Sequence, residues 1–175
     1  MPHNQVQCRF AQDRDLSRIT EIYNHFIVNT PVTFDLVPKE MAERRSWMES
    51  FDAAGPHQLW VAELSGEVAG AAWSHSFRPK AAYKTSVETS IYMDPHCAGQ
   101  GIGTALYRAL FRALNRQGLH RAYAGITLPN PASVALHRHL GFDSVGTYRE
   151  VGYKMGRFWD VEWFEKALDE TDPAT

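Results

Sequence analysis

Cysteine is scarce: Cys8 and Cys97 are the only two in 175 residues, too few for a disulfide framework. No apolar run approaches the roughly 18 residues that a membrane span needs. The opening MPHNQVQCRF lacks the basic-then-apolar pattern of a signal peptide. A formal charge of −2 and a pI near 6.4 give no basic excess for nucleic acid or an anionic membrane. A G-x-S-x-G nucleophile elbow and a P-loop lysine are both missing. His137-x-His139 and His96-Cys97 have no further ligand at zinc-like spacing, so no metal is expected. No repeat, linker or low-complexity segment interrupts the chain. These absences leave a soluble, cytoplasmic, single-domain protein, residues 1–168, with a polar and frayed tail at 169–175.

What is present centres on residues 85–114, TSVETSIYMDPHCAGQGIGTALYRALFRAL. Thr85–Met93 alternates as a strand does, with Val87, Thr89, Ile91 and Met93 on one face and Ser86, Glu88, Ser90 and Tyr92 on the other. Asp94-Pro95 stops it, because proline cannot donate to a ladder. Gly99, Gly101 and Gly103 follow, and then Ile102, Ala105, Leu106, Ala109, Leu110, Ala113 and Leu114 recur at helical spacing. Such a glycine cluster is either a tight strand-to-helix turn or, with free N–H groups and the helix dipole, a diphosphate site.

Before this stretch, Val6–Phe10 reads as a strand, and Asp13 or Asp15 caps a helix running to about Asn29. The 30–38 loop carries Val32 and Phe34, which either tuck into the core or line a pocket. Lys39–Phe51 repeats the helical pattern. Leu59–Leu64 and Val68–Ser76 flank the hairpin signal Ser65-Gly66-Glu67. Residues 77–84 form a basic, aromatic loop with Arg78, Lys80, Tyr83 and Lys84. After it come a strand over 121–128, a helix over 131–140, and two paired strands over 143–153 and 157–167. The order β-α-α-β-β-β-α-β-α-β-β predicts a mixed α/β (α+β) protein with a mostly antiparallel central sheet flanked by helices.

On the 131–140 helix, Asn130 and Pro131 fit an N-cap followed by a first-turn proline. Ser133 and His137 are four apart and share one face. His137 is either a functional group lining a groove or a hydrogen-bonded histidine at a packing edge.

The runs AGQGIG (98–103) and NPASVALHRHLGF (130–142) resemble the motifs of the Gcn5-related N-acetyltransferases, the GNAT superfamily. TPVTFDLVP (30–38), FRPKAAYKTSVETSIYM (77–93), LPNPASVALHRHLGF (128–142) and VGYKMGRFWDVEWF (151–164) resemble its phosphinothricin and methionine sulfoximine N-acetyltransferase branch. The resemblance implies the GNAT fold and transfer of acetyl from acetyl-CoA to the α-amine of a small amino acid. It implies cofactor contacts at Ile91, Tyr92 and Met93 (the pantetheine arm), at Gly99, Gln100, Gly101, Ile102, Gly103 and Thr104 (the diphosphate), and at Asn130 and Ser133. It places the amino acid against Arg78, Pro79, Lys80, Glu88, Thr89 and Ser90, with Thr33, Phe34 and Tyr83 completing the pocket. Two positions depart from the pattern. Ala98 stands where a diphosphate-binding side chain is usual, and Lys80 supplies a point charge where an arginine fork is common.

An α-amine titrating near 8 must lose a proton before it attacks, and Glu88 is the expected general base, its pKa raised by burial. The bland alternative for Glu88 is a strand ion pair with Arg78 or Lys84. His137 stands where relatives carry a tyrosine, as proton donor or second base partner. Direct transfer in a ternary complex is expected over a covalent route through Cys97. The alternatives are another amine acceptor (a polyamine, an aminoglycoside or a protein N-terminus) or a non-catalytic CoA- or amino-acid-sensing module. A homodimer is expected, with Trp159, Trp163 and Phe164 either at its interface or in the core.

Overall fold

The computed structural model describes residues 6–97 and 99–168. Ala98 and the expected frayed tail lie outside these residues. The chain runs β1 (Val6–Phe10), α1 (Leu16–Asn29), α2 (Met41–Met48), β2 (Leu59–Leu64), β3 (Glu67–Ser76), β4 (Ser86–Met93), α3 (Ile102–Leu114), β5 (Arg121–Thr127), α4 (Pro131–His139), β6 (Asp143–Lys154) and β7 (Arg157–Ala167). Their order is the one expected from the sequence. One seven-stranded sheet, ordered β1-β2-β3-β4-β5-β7-β6, joins all the strands, and only the β4–β5 pair is parallel.

Helices cover both faces of the sheet, whose β2 and β3 bury apolar side chains on both sides. On one face Leu106, Tyr107, Leu110 and Leu114 of α3 pack with Val87, Ala122, Phe142 and Phe164. On the other, Ile19 and Ile22 of α1 pack with Leu59, Val61 and Trp73, and Tyr23, Trp47 and Tyr92 close the edge. The β2–β3 turn is Ser65-Gly66, both left-handed (φ 53° and 87°), a two-residue form that matches strand twist. The α2 pattern expected over 39–51 holds as helix only over Met41–Met48. Its end tightens, with Ser50 N–H donating to Trp47 O and Phe51 N–H to Met48 O.

The 30–38 loop divides its two apolar residues. Val32 faces the large cleft described below. Phe34, 38% exposed, lies against Gly152 of β6, where a side chain would collide with its ring. The loop is pinned by buried Lys154, whose Nζ donates to Thr33 O at 2.7 Å.

Phe164 is 0% exposed and belongs to the core, so it is not an interface residue. Trp159 is half-buried, its indole N–H donating to Lys154 O, and half-buried Trp163 packs on Gly125. The exposed apolar side chains of this hairpin are instead Val145, Tyr148, Val151, Tyr153 and Phe158.

Candidate active site

The site follows from one break in the sheet. β4 and β5 pair only from Ser86↔Arg121 to Glu88↔Tyr123 and then diverge. Thr89 Oγ1 donates to Tyr123 O at 3.3 Å where they part. β3 stays paired along the whole of β4, so the gap opens on one side only. A cleft of about 650 Å³ fills the gap, walled by Thr89–Met93 of β4, Ala124–Thr127 of β5, the glycine loop, the start of α3, and Asn130, Ser133 and His137.

The glycines have two different reasons to be there. Gly99 (φ 78°) and Gly101 (φ 74°) are left-handed, with open space where a side chain would be. They are glycine for conformation, and their bare backbone leads into the first, unsatisfied N–H groups of α3. Gly103 is in ordinary packing distance of Leu136, Ile91 and Met93, and so seats α3 against both walls. A free helix N-terminus behind an exposed backbone loop suits a diphosphate, and an unpaired strand edge suits an extended amide-bearing arm. The residues present therefore fit coenzyme A.

Across the cleft, Asn130 Oδ1 accepts from Ser133 N–H at 3.1 Å, so Asn130 is the N-cap of α4 while also facing the cleft. His137 is 3% exposed. Its Nδ1–H donates to Ser133 O at 2.8 Å, which leaves Nε2 as an acceptor for the Tyr107 hydroxyl at 3.2 Å. Burial lowers the His137 pKa and keeps the ring neutral. Burial also pushes the Tyr107 phenol far above its ordinary value, offset by the Thr89 hydroxyl and reinforced by the charge of Glu88. Tyr107 lines the cleft and was not singled out in the sequence. Its signal there was a hydroxyl inside the apolar stripe of α3.

Glu88 lies on the opposite face of β4 from Val87 and Thr89, half-buried and in register with His75 of β3. Burial raises its carboxyl above the usual range, and His75 and Arg78 pull it partly back. Arg78 acts on it through space rather than through a direct hydrogen bond. Glu88 flanks the cleft, while Thr89 and Ser90 line it.

The other expected substrate residues are not gathered into the cleft. Arg78, Pro79, Lys80 and Tyr83 are exposed, Phe34 packs on β6, and the expected cofactor contact Gln100 is likewise exposed. Arg78 lies over Phe77 at 4.3 Å, with Trp163 at 5.6 Å. A second cavity of about 280 Å³ opens on the α1–α2 side and shares Ser90 and Tyr92 with the cleft. His75, the strand neighbour of Glu88, lines it, as does Arg44, which the sequence reading did not select.

A sheet parted at its parallel pair, with a glycine loop on one lip and a capped helix on the other, forms a cleft that fits coenzyme A. The Acetyltransferase (GNAT) family matches residues 19–142, and the chain belongs to that family. It is 51% identical to a phosphinothricin N-acetyltransferase of Streptomyces coelicolor over 94% of this chain and 97% of that one. It is 36% identical to an L-methionine sulfoximine/L-methionine sulfone acetyltransferase of Pseudomonas aeruginosa, over 95% of this chain and 96% of that one. Among solved structures, a Sinorhizobium meliloti phosphinothricin acetyltransferase in complex with acetyl-CoA superposes with a TM-score of 0.89 at 34% identity, covering 97% of this chain and 91% of that one. The chain is an N-acetyltransferase with the single-domain, seven-stranded GNAT fold. Among the described residues, no helix is long and apolar enough to cross a membrane.

Proposed function

We propose that this enzyme acetylates the α-amine of a small amino acid of the phosphinothricin, methionine sulfoximine or methionine sulfone type, by direct transfer in a ternary complex. The observation that carries this reading is the half-buried Glu88, its carboxyl raised, at the point where β4 leaves β5. Acetyl-CoA supplies an activated thioester, held by backbone at Ile91–Met93 and the glycine loop, with Asn130 and Ser133 opposite. Glu88 takes the proton of the incoming ammonium, directly or through a water, and its raised pKa makes it a better base than an ordinary glutamate. The Met93 N–H, on the edge of β4 turned away from β3, would meet the negative charge that develops on the acetyl oxygen. Arg78 and Lys80 at the rim supply positive charge for the acceptor's carboxylate, and that favours amino acids over polyamines.

His137 cannot supply a proton from Nε2 while its own proton is on Nδ1 against Ser133 O. The proton of this pair is on Tyr107 Oη, which lines the cleft and donates to His137 Nε2, so His137 is the positioning residue that holds the phenol. Tyr107→Phe should therefore lower kcat about 10-fold or more while KM for acetyl-CoA stays within about twofold. A lowered melting temperature with unchanged kcat would make the Tyr107–His137 pair purely structural.

The protein acts in the cytoplasm as a homodimer, its interface the outer face of the β6–β7 hairpin. The test of the activity is acetyl-CoA consumption against a panel of amino acids, polyamines, aminoglycosides and peptides with free N-termini. Turnover confined to the oxygenated amino acids is expected. Turnover of polyamines alone, or CoA binding without turnover, would overturn the reading. Parallel double-reciprocal lines, with loss of activity in Cys97→Ser, would replace direct transfer by a covalent route.

A further inference from the structure

Asp94 puts a carboxylate where an anion is to bind. It lines the cleft with Gly99 and Gly101, beside the loop fitted to a diphosphate, and a negative side chain there opposes the ligand. It is 6% exposed, so salt and water screen it little. Its N–H donates to Ala69 O at 2.8 Å, which holds it to β3 one residue beyond the end of β4. Its Oδ1 accepts from His96 N–H at 2.8 Å, and its carbonyl accepts from Cys97 N–H at 2.9 Å. Asp94 thus closes the turn that leads into the glycine loop. Asparagine closes such a turn as well as aspartate does. The cap therefore accounts for one oxygen of the side chain, but not for its charge.

The second oxygen is taken by Arg18 of α1, 76 residues away in sequence, whose Nη2 donates to Asp94 Oδ2. The other end of the guanidinium, Nη1, reaches Glu21 at 2.7 Å on the solvent side, where the Glu21 side chain is 69% exposed. Arg18 is not among the described residues that wall the cleft; it stands behind Asp94. Ile19 and Ile22 seat α1 in the core with Val61, Ala71 and Trp73, so the balancing cation is carried by an element outside the glycine loop. With Arg18 in place, Asp94 is a neutralised cap. Without it, a bare carboxylate faces the ligand at the mouth of α3, where the helix dipole otherwise draws an anion in.

We propose that Arg18 is a positioning residue for acetyl-CoA: by neutralising Asp94 and fixing the Asp94–Cys97 turn, it sets the affinity of the glycine loop for the diphosphate without touching the donor. This rests on the acetyl-CoA binding in the function proposed above and adds a residue that no wall of the cleft contains.

The test measures CoA binding by calorimetry, and kinetics with two donors on methionine sulfone as the acceptor. One donor is acetyl-CoA; the other is S-acetylpantetheine, which has the arm and thioester but no diphosphate. The variants are Arg18→Met, Asp94→Asn and the two combined. Arg18→Met keeps the apolar stem. It should weaken CoA binding and raise KM for acetyl-CoA about 5- to 20-fold, with kcat within about twofold. Its kcat/KM for S-acetylpantetheine should change by less than about twofold. Asp94→Asn keeps the cap and removes the charge, so combining it with Arg18→Met should return most of the lost affinity. A merely structural pair gives a different result, with both donors impaired alike and a combined variant no better than Arg18→Met. Either of those outcomes, or unchanged CoA affinity in Arg18→Met, would overturn the proposal. CoA binding that falls in Arg18→Met and recovers in the combined variant, without acetyl transfer to any amine, would uphold the positioning role and sink the catalytic reading.

Discussion

Glu88→Gln is expected to cut kcat by about 10²–10⁴-fold with KM for acetyl-CoA nearly unchanged. Glutamine keeps the shape of the side chain and the β3–β4 register, so what is lost is the proton acceptor alone. The working form of Glu88 is the carboxylate, and burial raises its pKa. Activity is therefore present above that raised pKa and lost as pH falls through it. The wild-type rate should show this acid limb at higher pH than an ordinary glutamate gives, and the variant should lose the limb and follow the amine alone. An unchanged kcat would remove Glu88 from the reaction.

Phe164→Ala should have the largest effect on stability. Phe164 is fully buried on β7 against α3, β5 and the His137 ring, whose centroid is 6.1 Å away. Truncation of such a phenylalanine costs about 3–5 kcal/mol. For a chain of this size that lowers the melting temperature by roughly 10 °C. Its sedimentation should be that of the wild type, because the side chain faces inward. Tyr153→Glu should do the reverse, since Tyr153 is 60% exposed on the outer hairpin face. It should shift the protein to a lighter species and leave the melting temperature nearly unchanged. A heavy species retained in Tyr153→Glu would move the interface elsewhere.

The sequence disclosed most of the secondary structure because the periodicities are strong and the punctuation is local. Asp94-Pro95, the glycines and Asn130-Pro131 fall at element ends, and α3 begins at Ile102 as its spacing predicts. Side-chain partnerships across the chain were not legible. Tyr107 and His137 are 30 residues apart, and only the packing of α3 on α4 lets one hydroxyl meet the other's ring nitrogen. Arg44 looked like an ordinary charge on a helix until α1, Trp47 and Tyr92 enclosed it. Phe164 alternates with Trp163, and alternation alone does not say which face of a terminal strand is covered. In the basic 77–84 loop, expected at the substrate, Arg78 and Tyr83 lie against Phe77, and Lys80 and Lys84 are exposed.

The two cavities meet at Ser90 and Tyr92 and otherwise draw on different parts of the chain. The large cleft is built mainly from residues after 89, and the small cavity mainly from the first 75 together with those two. Inheritance can therefore act on the halves separately. Changes in α1 and α2 can reshape the small cavity while most of the larger cleft's walls stay intact. Related chains that share the cleft but differ in the small cavity should therefore differ most in their amino-terminal third.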